Sequence, residues 1–250
     1  MTRATITKLL TVVFVLLAAA GGSKLWLVVV ILAFFAIIGM GAAFPQLRFY
    51  GPFTCRGKSW ERCVALTFDD GPDDRSTPAL LDLLRESGVP AAFFCVGQRV
   101  AARPELAERI VREGHLLENH SYTHSHFINF FTTARLRAEL TRTQTAIHTA
   151  TGATPQYYRP PMGLSNPRTF RAARSLGLKV IGWSVRGLDT RCADPEIIHR
   201  RIARRLAPGA IILLHDGNIP ATRLLSTVKL LLATLHERGY KVVRLDQLLT

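Results

Sequence analysis

Two long apolar runs open the chain, and short apolar runs alternating with amphipathic segments fill the rest. Leu9 to Ala20 and Leu25 to Phe44 are almost wholly apolar and are parted only by Gly21-Gly22-Ser23-Lys24. The second run is long enough to cross a bilayer as a helix, and it has no polar face that would suit a soluble interior. The first, counted from Thr5, is slightly short of the roughly 20 residues a span needs. After Pro45 to Trp60, a stretch of Pro, Gly and basic residues, the period changes. Val64 to Phe68, Ala91 to Val96, His115 to Glu118, Tyr157 to Arg159, Lys179 to Trp183, Ala210 to Leu214 and Lys241 to Val243 read as strands. Pro78 to Ser87, Pro104 to Arg112, Thr133 to Thr149, Pro167 to Ser175, Pro195 to Leu206 and Thr222 to Arg238 read as helices, several with Pro at the start and Gly just past the end. Repeated strand–helix units predict a parallel sheet covered by helices, open or closed into a barrel.

The apolar pattern divides the chain into an expected membrane anchor at 1–45, a linker at 46–62 and a strand–helix domain at 63–250. Two membrane helices, at about 6–20 and 25–44, would form a hairpin. Arg3, Lys8, Arg48, Arg56, Lys58 and Arg62 would flank it on one side and Lys24 alone on the other. That bias makes the expected protein a multi-pass one of a bacterial-type inner membrane, with the domain in the cytoplasm. A second reading makes Arg3 and Lys8 the basic start of a signal peptide, Leu9 to Leu17 its core and Ala18-Ala19-Ala20 its cleavage site, which reverses the orientation. Removing such a signal would leave the second apolar run unexplained, which favours the hairpin; the side of the domain stays open.

The net charge is +14, of which three charges precede Pro45, so the domain is itself basic at +11. Such a field suits an anionic membrane surface, a lipid-linked phosphate or nucleic acid. No RNP-like, zinc-finger or basic-region pattern accompanies it, so nucleic acid is not expected. Much of the charge lies in the helical segments Arg135 to Arg142 and His199 to Arg205, where a solvated outer face accounts for it. Cys55, Cys63, Cys95 and Cys192 form no Cys-x-x-Cys pair, which argues against a thiolate zinc site. Cys55 and Cys63 have the option of a disulfide if the domain is exported, whereas Cys95 sits in a strand-like run and reads as a small core residue.

The candidate chemistry begins at Thr67-Phe68-Asp69-Asp70-Gly71-Pro72. Two adjacent carboxylates at the end of an apolar run can divide the work, one binding a cation while its neighbour accepts a proton; ordinary turn chemistry before Gly-Pro is the alternative. His120 and His124, in His-Ser-Tyr-Thr-His, fall on one side of a helical turn, and His-His-Asp leaves coordination positions open as a catalytic metal site does. Ser121 stands where a zinc-protease signature needs Glu, so a base must come from another segment, and Asp69 is available. The spacing of His126 turns it away from the other two. His115, His148, His199 and His236 have no partner pattern. The Pro-Pro kink in Arg159-Pro160-Pro161-Met162-Gly163 fixes N–H directions that suit a developing oxyanion, or it is simply a rigid loop. His215, in Leu213-Leu214-His215-Asp216-Gly217, follows a buried run where its pKa can be set for protonating a leaving amine. Because Asp69/Asp70, His120/His124, Arg159, Asp189 and His215/Asp216 all follow strand-like runs, they could meet at the carboxyl ends of several strands, as the site of a (β/α) barrel does.

In this order the motifs resemble those of the NodB-type polysaccharide deacetylases, carbohydrate esterase family four, which are metal-dependent N- and O-deacetylases on a distorted (β/α) barrel. The resemblance covers about Val64 to the end. It implies Asp69 as general base, and Asp70, His120 and His124 as ligands of a divalent metal, zinc foremost with cobalt, manganese or nickel as alternatives. It further implies that Arg159 holds the base carboxylate, that the Met162 backbone N–H stabilises the oxyanion with Met in place of the usual Tyr, and that Leu213 walls the acyl pocket. His215 resembles the general acid and Asp189 the carboxylate that tunes it. The chain departs from the family in its fourth motif, where Arg186 stands for a common Asp and Thr190 for a common Trp, which leaves the acyl group and the sugar open. The expected function is a membrane-anchored deacetylase that hydrolyses an N-acyl group, foremost N-acetyl, on an amino sugar of a glycan or glycolipid. One alternative is a deformylase or deacetylase of a lipid-linked sugar at the cytoplasmic face. Another, of a different class, is a non-catalytic membrane glycan-binding protein, expected to lack a ligand or the base.

Overall fold

A computed structural model describes residues 2–21, 24–58 and 61–250; Gly22 and Ser23 of the expected hairpin turn and Ser59 and Trp60 of the expected linker lie outside them. Two helices lead, α1 (Arg3–Ala20) and α2 (Lys24–Ala43). The domain then runs β1 (Cys63–Asp69), α3 (Thr77–Glu86), β2 (Ala92–Cys95), α4 (Gly97–Ala102), α5 (Pro104–Arg112), β3 (Leu116–Asn119), α6 (Thr133–Thr151), β4 (Tyr157–Tyr158) and α7 (Pro167–Arg174). It continues with β5 (Lys179–Val180), β6 (Val185–Arg186), α8 (Pro195–Ala203), β7 (Ala210–His215), α9 (Ala221–Glu237), β8 (Lys241–Val242) and α10 (Leu245–Leu249).

The strands pair in parallel in the order β5-β4-β3-β2-β1-β7-β6, with β8 also beside β1. This sheet curls into a half-barrel. Its two edge strands, β5 and β6, belong to one short segment, where the sequence pattern had indicated a single strand from Lys179 to Trp183. The strand breaks because its partners change midway: Ile181 N–H donates to Tyr158 and Gly182 N–H to Thr54, whereas Ser184 N–H donates to Ile211 on β7. The expected linker contributes here, with Thr54 N–H donating to Val180 and Gly57 N–H to Gly209.

Alternation along the strands sorts the core from the site. Val64, Leu66 and Phe68 of β1 face outward and pack with Leu80 and Leu84 of α3, Ile110 of α5 and Leu231 of α9. Ala65 faces inward with Phe94, Ile211, Leu213 and Trp183. Thr67 and Asp69 share that inward parity, so the base candidate points into the half-barrel because of where it falls in a two-residue period.

Among the described residues α2 alone is long and apolar enough to cross a membrane. The expected pair of spans thus reduces to one; α1 carries Arg3 and Lys8 in its first two turns, which shortens its apolar run. The base of the two helices is docked on the domain. Ala4 N–H donates to Phe49, Ser165 N–H to Ala42, and the Tyr50 hydroxyl to Ile38. A side chain at Gly41 would meet the Phe49 ring at 2.3 Å, so the helix end approaches closely only because that position is Gly. All four cysteines are free, and Cys55 and Cys63 lie in separate apolar clusters, so the optional disulfide does not form.

Phe93 is fully buried and stacks on Phe68 with ring centroids 5.3 Å apart. Phe93→Ala should cost about 3–5 kcal/mol of stability, read as a lowered unfolding midpoint of the purified protein.

Candidate active site

The end of β1 delivers Asp69 and Asp70, and the register that sets Asp69 beside His215 on β7 fixes how far the base candidate stands from the acid candidate. Asp70 follows at φ 74, a left-handed backbone that turns its carboxylate away from the strand direction. Gly71 lies so close to Asp216 that a Cβ there would be 2.2 Å from the carboxylate. Asp216 in turn is buried, accepts from the Thr77 hydroxyl at 2.6 Å and ties the end of β7 to α3. Burial and the neighbouring carboxylates Asp70 and Asp69 push its pKa up to about 7.

His120 and His124 lie on the loop after β3 and not on a helical turn. Ser121 at φ 66 and His124 at φ 49 reverse the chain, so both imidazoles reach one point without helical geometry. Three hydrogen bonds to one carboxylate oxygen of Glu139 on α6 hold the loop: from Tyr122 N–H at 3.1 Å, Thr123 N–H at 2.8 Å and the Thr123 hydroxyl at 2.9 Å. His126, reasoned away on helical spacing, lines the cleft with its ring 6.2 Å from that of His124, although it stays outside the ligand cluster.

The ligand atoms of Asp70, His120 and His124 lie within 4.8 Å of one another. His120 Nδ1 is 2.7 Å from the Arg159 carbonyl, which can only accept, so Nδ1 carries the hydrogen and Nε2 presents a lone pair. That lone pair faces Asp70 Oδ1 at 3.4 Å, and His124 Nε2 faces the same oxygen at 3.1 Å. The His120 lone pair against a carboxylate oxygen is repulsive unless positive charge lies between them. The donor set therefore fits a divalent cation, with nitrogen and oxygen ligands suited to zinc or a similar ion.

Arg159 is wholly buried beneath this site. It donates to Asp69 Oδ1 at 2.6 Å, to the Thr67 hydroxyl at 2.8 Å and to the Gly182 carbonyl at 2.9 Å, and it lies 4.0 Å over the Phe94 ring. Burial lowers its pKa, opposed by the Asp69 charge. Beyond it, Gly163 N–H closes a turn onto the Pro160 carbonyl at 3.0 Å. Met162, at φ 59 and ψ 4, takes the position of that turn which usually needs Gly or Asn. The Pro161 ring before it makes the strained conformation tolerable, and the turn sets the Met162 backbone at the cleft wall.

His215 Nδ1 lies 3.1 Å from Asp189 Oδ1, and its backbone N–H donates to Asp189 Oδ2 at 2.8 Å. Burial acts to lower the imidazole pKa, but the bond to Asp189 and the charges of Asp189, Asp69 and Asp70 raise it to about 9. The Asp189 loop is held by cations: Arg223 donates to the Asp189 carbonyl at 3.3 Å and Arg201 to the Gly187 carbonyl at 3.4 Å. Asp69, Asp70, His120, His124, Met162, Asp189, Leu213 and His215 all line one cleft of about 360 Å³, which Trp183, Arg186 and Arg191 complete. Arg159 supports it from below.

A family model for polysaccharide deacetylases matches residues 56–181. The chain belongs to the polysaccharide deacetylase family. Among its relatives in that family is the peptidoglycan-N-acetylglucosamine deacetylase PgdA of Listeria monocytogenes, 35% identical over 185 residues, which are 74% of this chain and 38% of PgdA. The chain thus spans about two fifths of that relative's length. The chitooligosaccharide deacetylase of Bradyrhizobium sp. (strain ANU 289) is 36% identical over 202 residues, covering 76% of this chain and 92% of the relative. The crystal structure of wild-type BA3943 of Bacillus anthracis, a CE4-family pseudoenzyme, superposes with a TM-score of 0.74 at 28% identity, covering 82% of this chain and 71% of that one.

In this family member, sequence reasoning missed the supports of the site. Glu139 had a signal, as the single acid of a basic helix on the same face as Leu136, Leu140 and Thr143. Thr67 beside Arg159, and Arg191 and Trp183 on the cleft wall, had none, because only the curl of the sheet brings them there. The fourth-motif departure is now concrete: Arg186 lies 5.8 Å from the Trp183 ring, and neither Arg186 nor Arg191 has an ion-pair partner among the described residues.

Asp189→Asn should remove the charge that raises the His215 pKa. An acid that must be protonated then fails at lower pH, so the alkaline limb of the kcat/KM profile should move to lower pH, as a pH–rate series would show.

Proposed function

We infer that the protein is a metal-dependent deacetylase, held at a membrane by α2, that hydrolyses the N-acyl group, foremost N-acetyl, of an amino sugar in a glycan or glycolipid. The observation that carries this reading is the division of labour between neighbouring carboxylates. Asp70 shares a site with the imidazole nitrogens of His120 and His124, while Asp69 is held by Arg159 and lies outside that ligand cluster. When bound by Asp70, His120 and His124, a divalent cation, with zinc foremost and cobalt, manganese or nickel as alternatives, supplies Lewis-acid polarisation of the acyl carbonyl and acidifies water.

The chain's own groups do the remaining work. Asp69 takes the proton of the attacking water at Oδ2, since Oδ1 is occupied by Arg159. The developing oxyanion is offered the Met162 backbone N–H, and Leu213 bounds the acyl group. His215, protonated at neutral pH and oriented by Asp189, delivers a proton to the leaving nitrogen. The N-acetylglucosamine substrate named for the Listeria relative supports the choice of acetyl. A silent glycan-binding protein is disfavoured by the retention of base, ligands and acid together.

A second reading keeps this chemistry and changes the carrier to a lipid-linked sugar, losing acetyl or formyl at the cytoplasmic face. It is favoured by the two arginines without ion-pair partners on the cleft wall, Arg186 and Arg191, which suit a substrate phosphate.

A chelator should abolish deacetylation, zinc or cobalt should restore it, and Asp69→Asn should lower kcat by about 10²–10⁴-fold; full activity in either case refutes the mechanism. Mass spectrometry of envelope glycans and lipid-linked sugars, with active protein and with Asp69→Asn, should show an acyl-sized mass difference in one pool. A difference confined to polymer refutes the lipid-linked reading.

A further inference from the structure

Phe127 and Phe130 are 70% and 78% exposed, the two most solvent-exposed aromatic side chains of the catalytic domain among the described residues. They alternate with Ile128 and Phe131, which are buried in the same apolar cluster as Ala4, Phe49 and Tyr50, against which Ile38 and Ala42 of α2 also pack. The loop is thus built into the base of the helical anchor. Asn166 and Arg168 both donate to the Asn129 carbonyl, at 2.7 and 2.9 Å, while Ser165 N–H donates to Ala42. Phe44 and Leu47, just past α2, are exposed as well, at 51% and 40%.

The charges of this face agree with its apolar groups. Residues 1–60 and 121–180 together contain one acid, Glu139, and that acid is buried under the His120–His124 loop. The same stretches bring Arg3, Lys8, Arg168 and Arg171 around the helix base. Exposed aromatics ringed by cations without competing acids are what an anionic bilayer surface receives, aromatic rings at headgroup depth and cations on the phosphates. Phe127 follows the cleft residue His126 directly, Met162 on the cleft wall is 42% exposed, and Gln46 beyond α2 donates to the carbonyl of the cleft residue Trp183 at 3.0 Å.

We propose that the Phe127–Phe130 loop is a second membrane contact, which seats the catalytic face on an anionic bilayer so that the cleft opens at headgroup level and takes acylated amino sugars held in that surface. The proposal rests on the reading of α2 as a membrane anchor. It extends that reading by giving the domain a second point of contact, so that its orientation at the surface does not rest on the docked helix base alone.

Depth-dependent quenching tests it on the full chain in vesicles of phosphatidylcholine and phosphatidylglycerol, with and without brominated phosphatidylcholine. The parent protein contains Trp26 in α2, so its quenching reports whether the anchor is inserted. Phe130→Trp, and separately Phe127→Trp, should add emission that brominated lipid removes. Leu230→Trp on α9, which packs on α3 and α8, should add emission that survives. Quenching of the parent with no extra quenching in either loop variant overturns the loop contact and leaves the anchor standing. A parent that is not quenched overturns both. Added emission shielded from acrylamide yet untouched by brominated lipid means that a second copy covers the loop, which also overturns the proposal.

Discussion

The buried pair of Arg159 and Asp69 is the constraint around which the rest of the site is arranged. A guanidinium with no access to water is costly unless it is paired and hydrogen-bonded, and removing one partner of such a pair typically costs about 3–5 kcal/mol. Here Nη1 donates to Asp69 and Thr67 of β1 and Nη2 to Gly182 in the segment between β5 and β6, while Nε–H has no hydrogen-bond partner. One side chain thus pins the centre of the sheet to its seam. Its backbone is equally committed: Arg159 N–H donates to Asn119 at 3.0 Å, and its carbonyl receives His120 Nδ1–H. The residue that orients the base candidate therefore also sets the tautomer of a candidate ligand.

That arrangement separates two carboxylates that share a peptide bond. Asp69 is satisfied by a fixed cation of the protein, and Asp70 faces the two imidazoles, with which it forms a donor set that fits an exchangeable one. Across the cleft, Asp189 does for His215 what Arg159 does for Asp69, holding a candidate proton-transfer group in one orientation. Left-handed backbone at Asp70, Ser121, His124, Met162 and Leu188 accompanies these placements. Strain of this kind persists only where surrounding contacts over-determine it, as Glu139 does for the histidine loop.

The alternation of strand and helix was legible because burial imposes period 2 on one and 3.6 on the other, and β1, α5 and β7 lie within a residue or so of where the pattern put them. The short α4 and the division of β5 from β6 were not legible: the first has too few residues to show a period, and the second depends on partners from Thr54 and Ile211. For the histidines the spacing predicted a shared point correctly and a helical turn wrongly. Two imidazoles four apart can converge through a loop as readily as along a helix, and positive φ at Ser121 and His124 leaves no mark in an apolar pattern.

The sequence by itself determined the chemical parts: adjacent carboxylates at a strand end, a histidine pair, an arginine before a Pro-Pro kink and a histidine after a buried run. These are local facts, set by residue type and by neighbours a few positions away. Only the tertiary structure brought Arg159 to Asp69 and the histidines to Asp70, as the motif resemblance implied, and decided that Glu139 braces the loop and that the N-terminal helices end beside the cleft. Those are contacts across 90, 16 and 137 residues of chain, respectively, and they exist only once a parallel sheet has curled and brought its strand ends together.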